Sequence, residues 1–256
     1  MKFAIIAAGE GSRLAAEGVK EPKPLVQVGG ECLIDRLIRI FMQHDAEEIV
    51  CICNDQTSLV ASHLTALQRD GLRGRPVPLR FVMKSTPSSM HSFFEISQYL
   101  HDGPFVLTTV DTIFREEEFA AYMETFRQCR QEMLMGVTDF VDDERPLYVE
   151  TDERMRVTAF MDSPRPTVDY AQASSHPSPL VRQYSRQYVS AGIYGLQPSA
   201  IYTLSNCIAR CERRMRNFQR ALLTDRRPVK AWAFSKVLDI DHADDIRKAE
   251  EFLSET

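Results

Sequence analysis

Four residues near the start of the chain have types and spacing that suit chemistry: Gly9, Gly11, Arg13 and Lys23. Gly9 and Gly11 follow an apolar run, residues 3–8, that reads as a buried strand. Both glycines are expected to turn with positive φ, and neither carries a Cβ that would hold a ligand away. With Ala7, Ala8 and Ser12 they offer a row of backbone N–H groups of the kind that nests an anion. Arg13 adds a planar fork suited to phosphate oxygens. Lys23, between Pro22 and Pro24, adds a compact charge on a stiffened loop. The chemistry this set suits is the binding of a polyphosphate. A dinucleotide fingerprint wants a small residue where Leu14 stands, and a P-loop wants Gly-Lys-Ser/Thr at the loop end, so neither pattern fits. An ordinary strand-to-loop turn with a surface arginine is the plain alternative, and the Pro-Lys-Pro segment weighs against it.

Three later stretches carry candidates of the same kind. Residues 84–92 are dense in hydroxyls, with Ser85, Ser89 and Ser92 ahead of or within a helix start; there, Ser88 or Ser89 also suits a plain N-cap. Asp111 follows the apolar run 105–110, a place where an aspartate often caps the next turn. Residues 236–241 read Lys-Val-Leu-Asp-Ile-Asp. A period of two puts Asp239 and Asp241 on one side of a strand, where they repel unless something positive lies between or beyond them. Asp241 equally suits the cap of a helix from residue 243. Gly192, inside the run 187–196, reads either as a bulge or as a place where backbone must approach something closely.

The elements that must position these residues follow from periodicity. Strands are expected at 3–8, 48–53, 79–83 and 105–110, with helices at 32–42, 57–68, 88–100 and 116–131. Strands alternating with helices predict a mostly parallel sheet covered on both faces, with ligands at the carboxyl ends of its strands. The glycine loop, the serine loop and Asp111 should converge there. Strands at 134–137, 147–150, 157–161 and 187–196, joined by turns, predict an antiparallel extension. A single arginine-rich helix over 206–223, a strand at 229–234 and a helix at 243–252 complete the chain. The helix at 206–223 reads as a solvated face. Residues 162–186 hold four prolines and read as a long loop of the lid or interface kind.

A chain of 256 residues is long enough to bury a sizeable core without staples. A hydrophobic content of 44% and a charged content of 26% are those of a soluble protein, and the net charge of −5 argues against bulk nucleic-acid binding. No apolar stretch reaches membrane-span length, and the first apolar run is too short for a signal-peptide core. Six cysteines without knuckle spacing read as free thiols, and the expected address is the cytoplasm.

Ala7-Ala8-Gly9-Glu10-Gly11-Ser12-Arg13-Leu14, followed by Pro22-Lys23-Pro24-Leu25, resembles the N-terminal signature of the nucleotidyltransferase family that makes nucleotide sugars. Residues 84–92, Asp111, the Ala191-Gly192-Ile193-Tyr194 segment and residues 236–241 resemble its later segments, in the same order, so the resemblance spans nearly the whole chain. It implies an α/β fold: a mostly parallel, Rossmann-like three-layer sandwich with a small antiparallel extension. It also implies one domain: a nucleotide-binding part at about 1–135, an acceptor-side extension at about 136–198 and a C-terminal part at about 199–256. By resemblance, Arg13 and Lys23 are catalytic, and Ala7, Ala8, Gly9, Gly11, Ser12, Ser85, Ser89 and Ser92 contact the nucleotide. Asp111 and Asp239, with Asp241 as partner or cap, would hold Mg²⁺. Gly192 and Lys236 would meet the acceptor.

The chain also departs from the family pattern. Val110 stands where glycine is usual. Met161-Asp162 stands in place of the Glu-Lys that serves sugar-1-phosphate members, so that lysine is either absent or replaced by Lys20, Lys84 or Lys236, with Lys236 the first choice if the acceptor is a sugar-1-phosphate. The expected partners are a nucleoside triphosphate and a phosphorylated small-molecule acceptor, most simply a sugar-1-phosphate, with pyrophosphate released. No nucleic acid or membrane is expected, and a homo-oligomer is left open. One alternative is a cytidylyltransferase for phosphocholine or a polyol phosphate. In that case Tyr170, Tyr184, Tyr188 and Tyr194 would cage a quaternary amine beside Asp162. The alternative from another class is a nucleotide-binding regulatory subunit without turnover.

Overall fold

The first apolar run becomes β1 (Lys2–Ala7), and its alternation shows why it must be covered on both sides. Phe3, Ile5 and Ala7 join one core cluster, while Ala4, Ile6 and Ala8 join another. The computed structural model describes residues 1–164 and 187–255. After β1 come the short helix α1 (Ser12–Ala16), a 3-10 turn at Lys23–Leu25, and the hairpin of β2 (Gln27–Val28) and β3 (Glu31–Cys32). Then follow α2 (Leu33–Gln43), β4 (Glu48–Cys53), α3 (Ser58–Asp70), β5 (Leu79–Met83), α4 (Ser89–Ser97) and β6 (Phe105–Thr109). β1 pairs in parallel with β4 and with β6, and β4 pairs in parallel with β5. The right-handed crossovers expected of such pairs place helices on both faces.

The second half adds mixed pairing to the same sheet. It runs through β7 (Thr112–Ile113), α5 (Glu116–Gln128), β8 (Met133–Thr138), β9 (Tyr148–Thr151), β10 (Val157–Met161) and β11 (Gln187–Leu196). β11 pairs antiparallel with β6, β8 and β9, and β9 pairs antiparallel with β10. The chain closes through α6 (Ala200–Ala209), α7 (Met215–Thr224), β12 (Val229–Phe234), β13 (Leu238–Asp239) and α8 (Ala243–Ser254). β12 joins the sheet in parallel beside β8, and β13 pairs antiparallel with β7. This is the mostly parallel α/β sandwich with an antiparallel extension that the alternation predicted.

Each face of the sheet has its own core. On one, Leu37 and Phe41 of α2, Leu64 of α3, Phe119 and Tyr122 of α5 and Phe252 of α8 pack over Phe3 and Ile5; the Phe3 and Phe41 rings stack at 4.4 Å. On the other, Phe93 of α4, Leu204 of α6 and Phe218 of α7 cover Ala4 and Ile6. The helix expected over 206–223 is two helices. Cys211 takes a left-handed φ of 58°, and Arg214 is extended. The run 210–214 is mostly exposed and charged, so no apolar side chain holds it to the sheet, and the turn at Cys211 separates the buried Cys207 of α6 from the buried Phe218 of α7.

Candidate active site

The site grows from three strand ends. β1 delivers the glycine loop, and Asn54, just past β4, pins it by donating Nδ2–H to the Gly9 carbonyl at 3.0 Å. Gly11 has φ 63°, and a Cβ there would lie 3.2 Å from Lys23 Cβ. The glycine therefore both turns the loop and lets Lys23 pack against it. Gly9, by contrast, does not have the positive φ expected from sequence; a Cβ there would meet nothing within 4 Å. β6 delivers Asp111, whose carbonyl accepts from Ile240 N–H at 3.1 Å. β13 lies antiparallel to β7 with Asp239 opposite Thr112, so Asp111 and Asp239 arrive at one place from distant parts of the chain.

Lys23 is the centre of the cluster. Its side chain is 10% exposed, and Nζ lies 2.5 Å from Asp111 Oδ2 and 2.7 Å from Asp241 Oδ1. Arg13, in α1, reaches the other Asp241 oxygen at 3.0 Å. Burial alone would pull the Lys23 ammonium down; Asp111 and Asp241 overcome it and hold it above its ordinary value. For Asp241, burial pushes up, but Lys23 and Arg13 win and hold the carboxyl below its usual range. Asp239 goes the other way. Desolvation in the deep cleft, then the charges of Asp111 and Asp241, push it well above that range, and Lys23 only partly offsets them. The Asp239 side chain opens onto a cavity, so crowding by the two acids is the part that persists when water enters.

Two cavities meet at this cluster. One, of about 330 Å³, is lined by Ala7, Ala8, Gly9, Ser89, Ser92 and Thr86, with Lys23 and Asp111 at its end. The other, of about 440 Å³, includes Arg13, Asp239, Asp241, Ser190, Ala191 and Glu144. Lys23 belongs to the first and Asp241 to the second, so their ion pair forms the partition. The arrangement suits an anion that spans both sides, with charge neutralised at the crossing point.

The donors also suit a hard cation. Among the described residues, no three carboxylate, imidazole or thiolate side chains converge as a complete metal cage. Magnesium typically takes one or two carboxylates and completes its shell with water and substrate phosphates. The Asp239 carboxylate has no hydrogen-bond or ion-pair partner among the described side chains and backbone groups, and the neighbouring charges of Asp111 and Asp241 raise its pKa beyond what desolvation does. Asp111 and Asp239 thus fit such an ion. Asp241 is engaged by Lys23 and Arg13, while Asp245 rather than Asp241 accepts the N–H groups that open α8.

Several expected site residues stand elsewhere. Ser12 begins α1 and Ser85 donates to Asp55; neither lines the two cavities. Gly192, at φ 70°, faces the Thr109–Thr112 hydroxyl pair, where a Cβ would lie 2.9 Å from each oxygen. Close packing behind the Asp111 loop, not cleft lining, accounts for the glycine. Lys236 does not line the cleft. Its ammonium lies over the rings of Phe140 (4.6 Å) and Phe252 (5.1 Å), so the first choice for the missing acceptor cation is corrected. Tyr188 and Tyr194 are buried, and the Tyr194 hydroxyl accepts from Gln219. Tyr170 and Tyr184 lie outside the described residues. Asp162 is paired with Arg216 and, at 2.8 Å, with Arg220, so it is no free counter-charge for an amine. The arginines of 206–223 are therefore not simply a solvated face.

Sequence reading missed Asn54 and Glu144. Glu144 lies 3.9 Å from Arg13 and 3.4 Å from His242, whose Nδ1 is 2.6 Å from Glu17. The Asn54-Asp55 pair just beyond an apolar strand was the available signal for the former. Nothing local marks Glu144 within an acidic run.

The chain is also similar to known proteins. The family model described as "Nucleotidyl transferase" matches residues 2–256. Glucose-1-phosphate cytidylyltransferases of Salmonella typhimurium (strain LT2) and Salmonella typhi are each 32% identical over 53 residues; the match covers 21% of this chain and 21% of either relative. Among solved structures, the inositol-1-phosphate CTP transferase from T. maritima superposes with a TM-score of 0.73 at 16% identity, covering 99% of this chain and 96% of that one. A candidate glucose-1-phosphate thymidylyltransferase from Bacillus anthracis, in complex with sucrose, gives 0.78 at 18% identity, covering 100% and 96%. No helix among the described residues is long and apolar enough to cross a membrane.

Proposed function

For a chain that belongs to the nucleotidyl transferase family, we propose transfer of a nucleoside monophosphate from a triphosphate to a phosphorylated acceptor, most simply a sugar-1-phosphate. A phosphate oxygen of the acceptor attacks the α-phosphorus. The bond from that phosphorus to the bridging oxygen breaks, and pyrophosphate leaves with the electron pair. The attacking phosphate is already ionised, so no general base is needed, and catalysis is positioning plus charge neutralisation. The observation that carries this reading is Lys23, clamped between Asp111 and Asp241 where the two cavities meet.

In this reading the loop at Gly9 and Gly11 holds the triphosphate, Arg13 neutralises the leaving pyrophosphate, and Lys23 faces the α-phosphate. Ala7, Ala8, Ser89 and Ser92 line the base and ribose side. Asp111 and Asp239 would hold Mg²⁺, which supplies charge neutralisation on phosphate oxygens when bound. One neighbour is named a CTP transferase and two relatives are named cytidylyltransferases, which makes CTP the first triphosphate to try. Six free cysteines fit a reducing, cytoplasmic setting. A polyol phosphate is the second acceptor class. The pairing of Asp162 with two arginines disfavours phosphocholine, since no free carboxylate remains there for the amine.

The test is pyrophosphate release with each common triphosphate plus Mg²⁺, against glucose 1-phosphate, inositol 1-phosphate and phosphocholine. The reading expects release that needs both substrates. Binding of a triphosphate with no release under any pairing would favour the regulatory subunit.

A further inference from the structure

A third cavity, of about 670 Å³, lies apart from the cluster around Lys23. Five arginines line it: Arg145, Arg213, Arg214, Arg216 and Arg220. Arg13, Lys23, Asp111, Asp239 and Asp241 do not, whereas Glu144 borders both this cavity and the one beside Asp239. Two of the forks are held in place by main chain: Arg216 Nη2 donates to the Arg145 carbonyl at 3.1 Å and Arg220 Nε to the Phe160 carbonyl at 3.4 Å. Both then converge on the carboxylate of Asp162. Arg213 and Arg214 are exposed and make no ion pair among the described residues. Like charges gathered this way repel, and the first turn of α7, which starts here, holds no acid to offset them. The arrangement is unfavourable for an empty pocket and favourable for one that receives an oxyanion.

Resting on the nucleotidyltransferase reading, we propose that this pocket takes a second anionic group of the acceptor, a carboxylate or phosphate remote from the phosphate that attacks. Asp162 is the internal carboxylate that this group displaces from Arg216 and Arg220. The attacking phosphate belongs beside Lys23, and no residue of that cluster reaches the arginine pocket, so the anion held here is a different one. The shared border at Glu144 makes the two cavities neighbours, which favours one bridging acceptor over a separate ion. The acceptor class that follows is a phosphorylated polyol or sugar bearing a further negative group.

The test compares glucose 1-phosphate with glucuronic acid 1-phosphate and glucose 1,6-bisphosphate, by calorimetric titration and by turnover with Mg²⁺ and the active triphosphate. The wild-type protein should bind at least one doubly anionic compound tenfold or more tightly than glucose 1-phosphate. Arg213→Ala combined with Arg214→Ala, both on exposed positions, should erase that preference and leave the KM for triphosphate unchanged. Asp162→Asn should widen it several-fold. Equal binding of all three compounds by the wild type overturns the proposal, even if each is a substrate. So does a response through the arginines to orthophosphate alone, which would make the site one for a free anion. Absence of pyrophosphate release with every triphosphate and acceptor would instead sink the underlying activity, and the binding preference reads independently of it.

Discussion

Lys23 donates a hydrogen bond to Asp241 at 2.7 Å across 218 positions of sequence, and this contact joins the N-terminal phosphate loop to the C-terminal acidic segment. The same ammonium reaches Asp111, so one buried cation balances two strand-end carboxylates. A triphosphate entering beside Gly9 must compete for that cation. Lys23→Gln should therefore lower kcat by about 10²-fold or more, with a smaller effect on the triphosphate KM, because charge on the transferred phosphate builds only as the acceptor attacks. Steady-state kinetics with each substrate varied in turn would show it. A rise in KM with kcat intact would make Lys23 a binding residue only.

Asp111→Asn and Asp239→Asn should each remove most of the turnover, and the double variant should cost little more than the worse single one, since the two act as a unit. The effect of Asp239→Asn on stability should point the other way. Desolvation and the charges of Asp111 and Asp241 push the Asp239 carboxyl up, and for a side chain open to the cavity the two charges are the lasting cause, so its ionised form is disfavoured in the metal-free native state. Asp239→Asn should raise the melting temperature of the metal-free protein at pH 7, and the gain should shrink as pH falls and Asp239 takes up its proton. A lower melting temperature at pH 7 would show that Asp239 is already compensated.

The central strands were legible because they are buried on both faces and read as apolar runs, as β4 does, and the edge strands β5 and β10 still stood out between polar turns: the expected spans at 48–53, 79–83, 157–161 and 187–196 match β4, β5, β10 and β11 residue for residue. The short pair β7 and β13 carried no such run, although it is what brings Asp239 to Asp111. Gly11 and Lys23 were readable as a pair because a loop that nests anions needs both. Gly192 was readable as a constraint, but its cause lies in Thr109 and Thr112, a contact between strands that spacing does not encode. Lys236 misled for a similar reason. Sequence shows a cation near an acidic strand end, while its direction is set by Phe140, far away in the chain, and by Phe252 on the following helix.

Lys236→Met should accordingly leave the acceptor KM within about twofold and lower the melting temperature modestly, since a partly exposed cation–π contact contributes about 0.5–1 kcal/mol. Acceptor titrations beside thermal melts separate the two effects. A tenfold rise in acceptor KM at unchanged stability would return Lys236 to the acceptor site.

The pair formed by His63 of α3 and Asp35 of α2, 2.6 Å apart, supplies a pH dependence away from the active site. The hydrogen bond to Asp35 outweighs burial and raises the His63 pKa above its ordinary value. A raised histidine pKa stabilises the fold fully below the unfolded-state value and loses that contribution as pH rises through the folded-state value. Urea unfolding of wild type and His63→Gln at pH 5.5 and pH 9 should show a stability difference at the lower pH that narrows at the higher. A difference independent of pH would contradict the assignment.

If the cluster around Lys23, Asp111 and Asp239 moves a nucleoside monophosphate from one cavity to the other, the α-phosphate must travel with it. Wild-type protein is incubated with α-³²P-labelled CTP, or whichever triphosphate binds, with Mg²⁺ and phosphorylated acceptors that include glucose 1-phosphate and inositol 1-phosphate. Label should appear in a phosphatase-resistant diphosphate that links nucleoside and acceptor, in amounts matching the pyrophosphate released, and most of it should be lost with Asp239→Asn. Label that stays in the triphosphate, although the triphosphate binds, would contradict the transfer.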